Sequence, residues 1–209
     1  MQAISELNDL REAVKARMGE WRFAHTLAVE REIVKLGEIY LPQNIYRLQI
    51  AALLHDLTKE LSAEAQIAFC EQHGIPLSEE ERATSKTLHA KTGAYLAARE
   101  FPHLVDEEIL DAIDKHTTGG ERMSLFAKLL YLADYIEDTR TFSDCVRLRN
   151  MFWNGFDDLP QNKRAEHLDR VLLASFDMTI KALRTEGSPI SSATLLAREA
   201  LLADINKYI

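Results

Sequence analysis

Apolar residues along this chain recur at three- and four-residue intervals over most of its length, and strand-like alternation is nearly absent. The spacing predicts helices over 4–18, 21–40, 44–57, 62–73, 78–82, 87–101, 106–117, 124–138, 143–150, 162–186 and 191–207. The breaks coincide with turn chemistry: "LP" at 41–42, "HGIP" at 73–76, "FP" at 101–102, "TTGG" at 117–120 and "EGSP" at 186–189. Asp106 and Ser124 stand where N-caps belong. No internal repeat or low-complexity tract interrupts the series. The pattern predicts a single all-α domain. An N-terminal helix (1–20) packs on a core of 21–186, and a C-terminal helix (187–209) completes the same domain.

Polar interruptions of the apolar stripes carry the chemistry. The oily run "AALLHDLTKEL" (51–61) ends on His55 and Asp56, which are costly to bury without partners. His25 shares a helical stripe with Val29, Ile33, Leu36 and Tyr40; His55 follows Ile45, Leu48 and Ala52. His89 aligns with Gly93 and Leu96, His116 with Ile109, Ala112 and Ile113, and Ala127, Leu130 and Tyr131 lead to Asp134. One buried histidine is usually a satisfied core residue. Five helices each turning a His or Asp inward is a different matter, since unpaired groups cost about 1–3 kcal/mol each. Four imidazoles and two carboxylates can instead surround one or two divalent cations, with donors suited to Fe, Mn, Co, Ni or Zn. No cysteine joins the set, which argues against a closed structural zinc site and for open coordination positions of a catalytic one. His73, His103 and His167 read as solvated surface or helix-end residues.

The 209 residues suffice for one well-buried domain, and 46% hydrophobic with 28% charged residues is ordinary for a folded soluble chain. A net charge of -8 disfavours a nucleic acid backbone as partner, although a local basic pocket can hold a small anion. No apolar run is long enough for a bilayer, and the N-terminus has no signal core. Cys70 and Cys145 form no CxxC and read as reduced, buried thiols of a cytoplasmic protein. The amphipathic end "LLAREALLADINKYI" either docks a second copy in a homodimer or covers the domain's own core.

His25, the pair His55-Asp56, and Asp134 follow the H…HD…D signature, and the chain resembles the HD-domain metal-dependent phosphohydrolases, a helical-bundle fold. More specific are "RFAHTLAV" (22–29), "LLHDLTKEL" (53–61), "LHAKTGAYLA" (88–97), "DAIDKHTTG" (111–119), "LLYLADYIEDTR" (129–140) and "FDMTIKAL" (176–183). These resemble the bacterial symmetrical bis(5′-nucleosyl)-tetraphosphatases from about residue 21 to about residue 185. The resemblance implies cleavage of diadenosine tetraphosphate into two ADP at a two-metal, usually iron, centre. It implies that His25, His55, Asp56 and Asp134 bind the first metal, with Asp56 bridging to a second held by His89 and His116. Asp56, His89 and His116 would be the catalytic set, with a metal-held hydroxide as nucleophile. Arg22, Lys59, Thr117 and Arg140 fall at phosphate-contacting positions, and Asp177, Thr179 and Lys181 at nucleotide-contacting ones. Asp138 and Met178 replace a Pro and an Asn common in the family, and "LHAK" replaces "LHGP".

Plainer readings compete. Lys59 could be a solvated helix-end cation, Thr117–Gly120 a helix stop, and Asp177 with Lys181 an i,i+4 surface pair. The aromatic run "MFWNGFDDLP" (151–160) reads as a loop pinned to the core before it reads as an adenine pocket. Two further functions fit the residues: a nucleotidase or nucleoside triphosphate hydrolase of the wider HD class, and an idle ADP-binding sensor.

Overall fold

A computed structural model describes residues 2–208. Its α-helices are α1 (Gln2–Lys15), α2 (Glu20–Tyr40), α3 (Ile45–Leu54), α4 (Ala63–Gln72), α5 (Glu79–Ala83) and α6 (Leu88–Glu100). They continue with α7 (Glu107–Lys115), α8 (Leu125–Ile136), α9 (Ser143–Trp153), α10 (Arg164–Glu186) and α11 (Ser192–Ile205). There is no strand among the described residues, as the periodicity predicts. Side-chain caps fix many of the starts. The Ser62, Asp106 and Ser124 oxygens accept from the N–H three residues on, and Ser78 with Glu81 closes a capping box.

The apolar stripes meet on α3 and α8. In α8, Phe126, Ala127 and Leu129 through Ala133 are buried, and in α3 Leu48 and Ile50 through Leu54 are buried. α2 and α7 flank this pair, and α1 adds Leu7, Leu10 and Val14 to the same hydrophobic cluster. On the other side Phe176 of α10 stacks on Tyr131, with ring centroids 4.7 Å apart. α11 turns Ala197 and Leu201 into the cluster, so this segment covers the domain's own core. No helix among the described residues is long and apolar enough to cross a membrane.

Two expectations need correction. α3 stops at Leu54 instead of running to 57, and residues 55–61 wind in tighter i→i−3 turns. The Ala52 carbonyl, which a continuing helix would satisfy with the Asp56 N–H, instead accepts from the His55 ring at 2.7 Å. His167 is not solvated. It is half-buried against Phe152 and Phe156, with Nε2 2.9 Å from the Phe152 carbonyl. Those two phenylalanines are buried and stack at 5.2 Å, so the 151–160 run does pin its loop to the core.

Gly119 closes the turn after α7 at φ +68, where a Cβ would lie 2.6 Å from Phe176 and 2.8 Å from Ala197. Gly187 ends α10 at φ +67 with nothing within 4 Å. Alanine at Gly187 should cost the left-handed strain alone, about 1 kcal/mol, whereas Gly119→Ala should lose about 1–3 kcal/mol more through overpacking. Urea unfolding of the two variants compares them directly, and equal losses would contradict this packing.

Candidate metal centre

His55 and His116 stand at the C-terminal ends of α3 and α7, where the helix leaves carbonyls to be met. His89 stands in the first turn of α6, beside the carbonyl of the preceding turn. Helix termini leave carbonyls without intrahelical donors. His55 Nδ1 takes Ala52 O at 2.7 Å, His116 Nδ1 takes Ile113 O at 2.6 Å, and His89 Nδ1 takes Lys86 O at 3.0 Å. A carbonyl only accepts, so each Nδ1 carries the proton and each Nε2 presents a lone pair. His25 lies within α2, where the backbone is satisfied, and its Nδ1 bonds Glu137 Oε1 at 3.1 Å instead. All four Nε2 atoms then face one buried space.

Asp56, 3% exposed, stands at its centre. Its Oδ2 lies 3.7 Å from His25 Nε2 and 3.4 Å from His55 Nε2. Its Oδ1 lies 3.5 Å from His89 Nε2 and 3.6 Å from His116 Nε2. Asp134 Oδ1 joins the first group, 3.0 Å from His25 Nε2 and 3.8 Å from His55 Nε2. Donors bound to one ion at about 2.1 Å stand roughly 3.0–3.4 Å apart, so these separations suit a shared cation. Two further observations agree. His25 Nε2 and His55 Nε2 are buried without a hydrogen-bond partner, and His89 Nε2 faces His116 Nε2 at 3.1 Å, lone pair to lone pair. Nitrogen and oxygen donors of this kind fit a divalent transition metal.

The electrostatics point the same way. Burial alone would raise both carboxyls. His55 and His116 around Asp56, and Arg140 and His25 around Asp134, nevertheless hold them well below the usual carboxylate range. Burial also opposes charge on His25, yet the nearby carboxylates of Asp134 and Glu137 prevail and raise it to about 9. Burial, with His116 and Lys59 close by, pushes His89 well below its ordinary value. α3, α7 and α8 all direct their C-terminal ends at the cluster, and those partial negative charges favour a cation there.

Of the expected substrate contacts, four touch the cluster. Arg22 Nη1 is 2.8 Å from Asp56 Oδ2, and Arg140 Nη2 is 2.5 Å from Asp134 Oδ1. Lys59 Nζ is 3.0 Å from His89 Nε2, and Thr117 Oγ1 lies 2.9 Å from His89 Nε2 and 3.1 Å from His116 Nε2. Lys59 is thus no solvated helix-end cation, and burial lowers its pKa. Thr179 bonds the Tyr135 hydroxyl at 2.7 Å, one residue beyond Asp134. Asp177 and Lys181 are exposed and line a groove between α10 and α11, where Asp177 pairs with Arg198 rather than with Lys181. Met178 packs half-buried on the core, Asp138 pairs with Arg31, and Lys91 pairs with Glu81, so the three departures make structural contacts.

Sequence reasoning passed over the supports. Glu137 is fully buried and holds His25 Nδ1 together with the N–H and hydroxyl of Thr139. Arg149 donates to the carbonyls of Ile136, Glu137 and Arg140, closing the end of α8. Thr58, Gln66 and Thr92 bond one another beneath the His55-Asp56 turn, and Thr58 Oγ1 also reaches His89 O at 3.0 Å. A glutamate three residues after Asp134 and a threonine two after Asp56 were the available signals.

Residues 22–139, which contain every member of the cluster, match the HD domain family. A Bacillus subtilis protein named bis(5′-nucleosyl)-tetraphosphatase, symmetrical, is 31% identical, the alignment covering 91% of this chain and 94% of that one. The chain belongs to the HD-domain family of symmetrical bis(5′-nucleosyl)-tetraphosphatases. A Staphylococcus aureus protein of the same name is 34% identical over 67% of this chain and 71% of its own. Among solved structures, a Clostridium acetobutylicum protein described as a predicted HD superfamily hydrolase involved in NAD metabolism superposes with a TM-score of 0.81. It is 34% identical, with 94% of this chain and 97% of that one covered. HD-domain enzymes of this family are metal-dependent phosphohydrolases, and the His/Asp groups of this chain could hold a metal ion.

Glu137→Ala leaves His25 Nδ1 and the Thr139 N–H without their acceptor. It should destabilise the fold by about 1–3 kcal/mol, while Glu137→Gln, which keeps an acceptor oxygen, should lose less. Thermal or urea unfolding measures both, and an alanine variant as stable as the parent would contradict the assigned support.

Proposed function

We propose that the chain hydrolyses dinucleoside tetraphosphates, diadenosine tetraphosphate above all, into two nucleoside diphosphates at one or two divalent ions, with iron as the resident metal. The reading rests on one observation: Asp56 offers its two oxygens to two separate pairs of imidazole Nε2 atoms, His25 with His55 and His89 with His116. The names of the Bacillus and Staphylococcus relatives support the substrate.

His25, His55, Asp56 and Asp134 would hold the first ion, and Asp56, His89 and His116 the second. Bound there, divalent ions supply a water of lowered pKa and offset charge on the phosphoryl oxygens. The chain's own part is to hold and neutralise the polyphosphate. Arg22, Lys59 and Arg140 are held against the cluster, where they can turn to phosphate once cations take Asp56, Asp134 and His89. Lys59 meets the phosphates from a largely desolvated position, where an ammonium attracts an anion more strongly than in water. Thr117 Oγ1, between His89 and His116, can donate to a phosphoryl oxygen. Thr179, Asp177 and Lys181 would take the nucleoside side. The free, buried Cys70 and Cys145 suit a reducing cytoplasm.

Product chromatography tests the reaction: ADP alone is expected from diadenosine tetraphosphate, and AMP with ATP would contradict symmetrical cleavage. Asp56→Ala should lose bound metal and turnover together, and an active, metal-poor variant would remove the metal from the account. Arg140→Ala should raise KM about tenfold or more with metal retained, since a charge-assisted contact to phosphate is lost. Metal loss in that variant would reassign Arg140 to the support of Asp134.

A further inference from the structure

Among the described Phe, Tyr and Trp side chains only two are more than half exposed, Trp21 at 71% and Phe142 at 67%. Trp21 directly precedes Arg22, which holds Asp56; Phe142 lies two residues past Arg140, which holds Asp134. Trp21 carries more, because its ring also meets the centre. The indole lies nearly parallel to the His25 imidazole, at 14° with centroids 6.3 Å apart. The Arg22 guanidinium carbon stands 4.8 Å from its ring centroid.

Leaving an indole in water forfeits one of the largest apolar contributions a side chain can make, so its exposure calls for a reason. The position is also firmly built. Trp21 sits in the first turn of α2, whose start is tied down by the Gly19 N–H bonded to Glu60 at 2.9 Å. A flat apolar ring held beside a phosphate-binding arginine matches the build of a nucleotide, a flat base joined to phosphates. We infer that Trp21 is a stacking platform for one base of the substrate, with the phosphates passing Arg22 into the cluster. This rests on the nucleotide hydrolysis proposed above and adds the subsite that holds a base. Stacking engages the π-face and not the hydrogen-bonding edge, so the platform accepts either purine and holds pyrimidines less well.

The chain has two tryptophans, and Trp153→Phe leaves Trp21 as the sole indole emitter. In that variant ADP should quench the emission, while tripolyphosphate, which has no base, should not. In the otherwise native chain, Trp21→Ala should raise KM for diadenosine tetraphosphate about tenfold, more than it lowers kcat, with metal content retained. Trp21→Phe should recover most of that loss. ADP binding measured calorimetrically without any change in Trp21 emission, or a KM for Trp21→Ala within about twofold of the parent, would overturn the inference while leaving the hydrolysis intact. A native chain that neither binds ADP nor cleaves the tetraphosphate would overturn the parent reading, and the platform with it.

Discussion

The ionised carboxylate of Asp56 has 3% of its surface in water, and the rest of the structure is organised around that burden. An isolated buried charge is prohibitive, so it must be met by charge and by directed hydrogen bonds. Arg22 meets one oxygen at 2.8 Å, and two pairs of imidazoles flank both. The early stop of α3 belongs to the same solution. It frees the Ala52 carbonyl to orient His55, and it brings His55 and Asp56, neighbours in sequence, into one space.

Outer contacts hold this arrangement rigid. Arg149 secures the carbonyls at the end of α8, which positions Asp134, and Glu137 from the same end reaches back to His25 on α2. Thr58, Gln66 and Thr92 form the floor under the His55-Asp56 turn. Buried polar networks of this kind stabilise only when every member is satisfied. Of the four buried side-chain nitrogens without a partner among the described residues, two, His25 Nε2 and His55 Nε2, are aimed at the space between the carboxylates; the others are Arg22 Nε and Arg164 Nε.

Periodicity made the helices and the inward side chains legible, because a helix face is a property of local spacing. His25, His55, His89, His116 and Asp134 could be assigned inward from their own stripes, and they meet in the structure. What the sequence concealed depends on contacts between distant segments. Lys59 in "LTKEL" lies within one turn of Asp56, which sets it near the site, but its enclosure depends on the arrival of His89 from α6. Glu137 reads as an ordinary residue near a helix end until α2 supplies His25 across 112 positions. His167 looked solvated within a charged stretch because Phe152 and Phe156 reach it from another element. Asp177 and Lys181 satisfied the i,i+4 rule, yet Arg198 of α11 claimed the aspartate.

Anomalous diffraction from a crystal of the purified protein, collected at the absorption edge of whichever metal elemental analysis detects, addresses the central claim most directly. The account predicts a peak ligated by His25, His55, Asp56 and Asp134. A stoichiometric metal located elsewhere, or the same four side chains closing on one another with no peak among them, would contradict it.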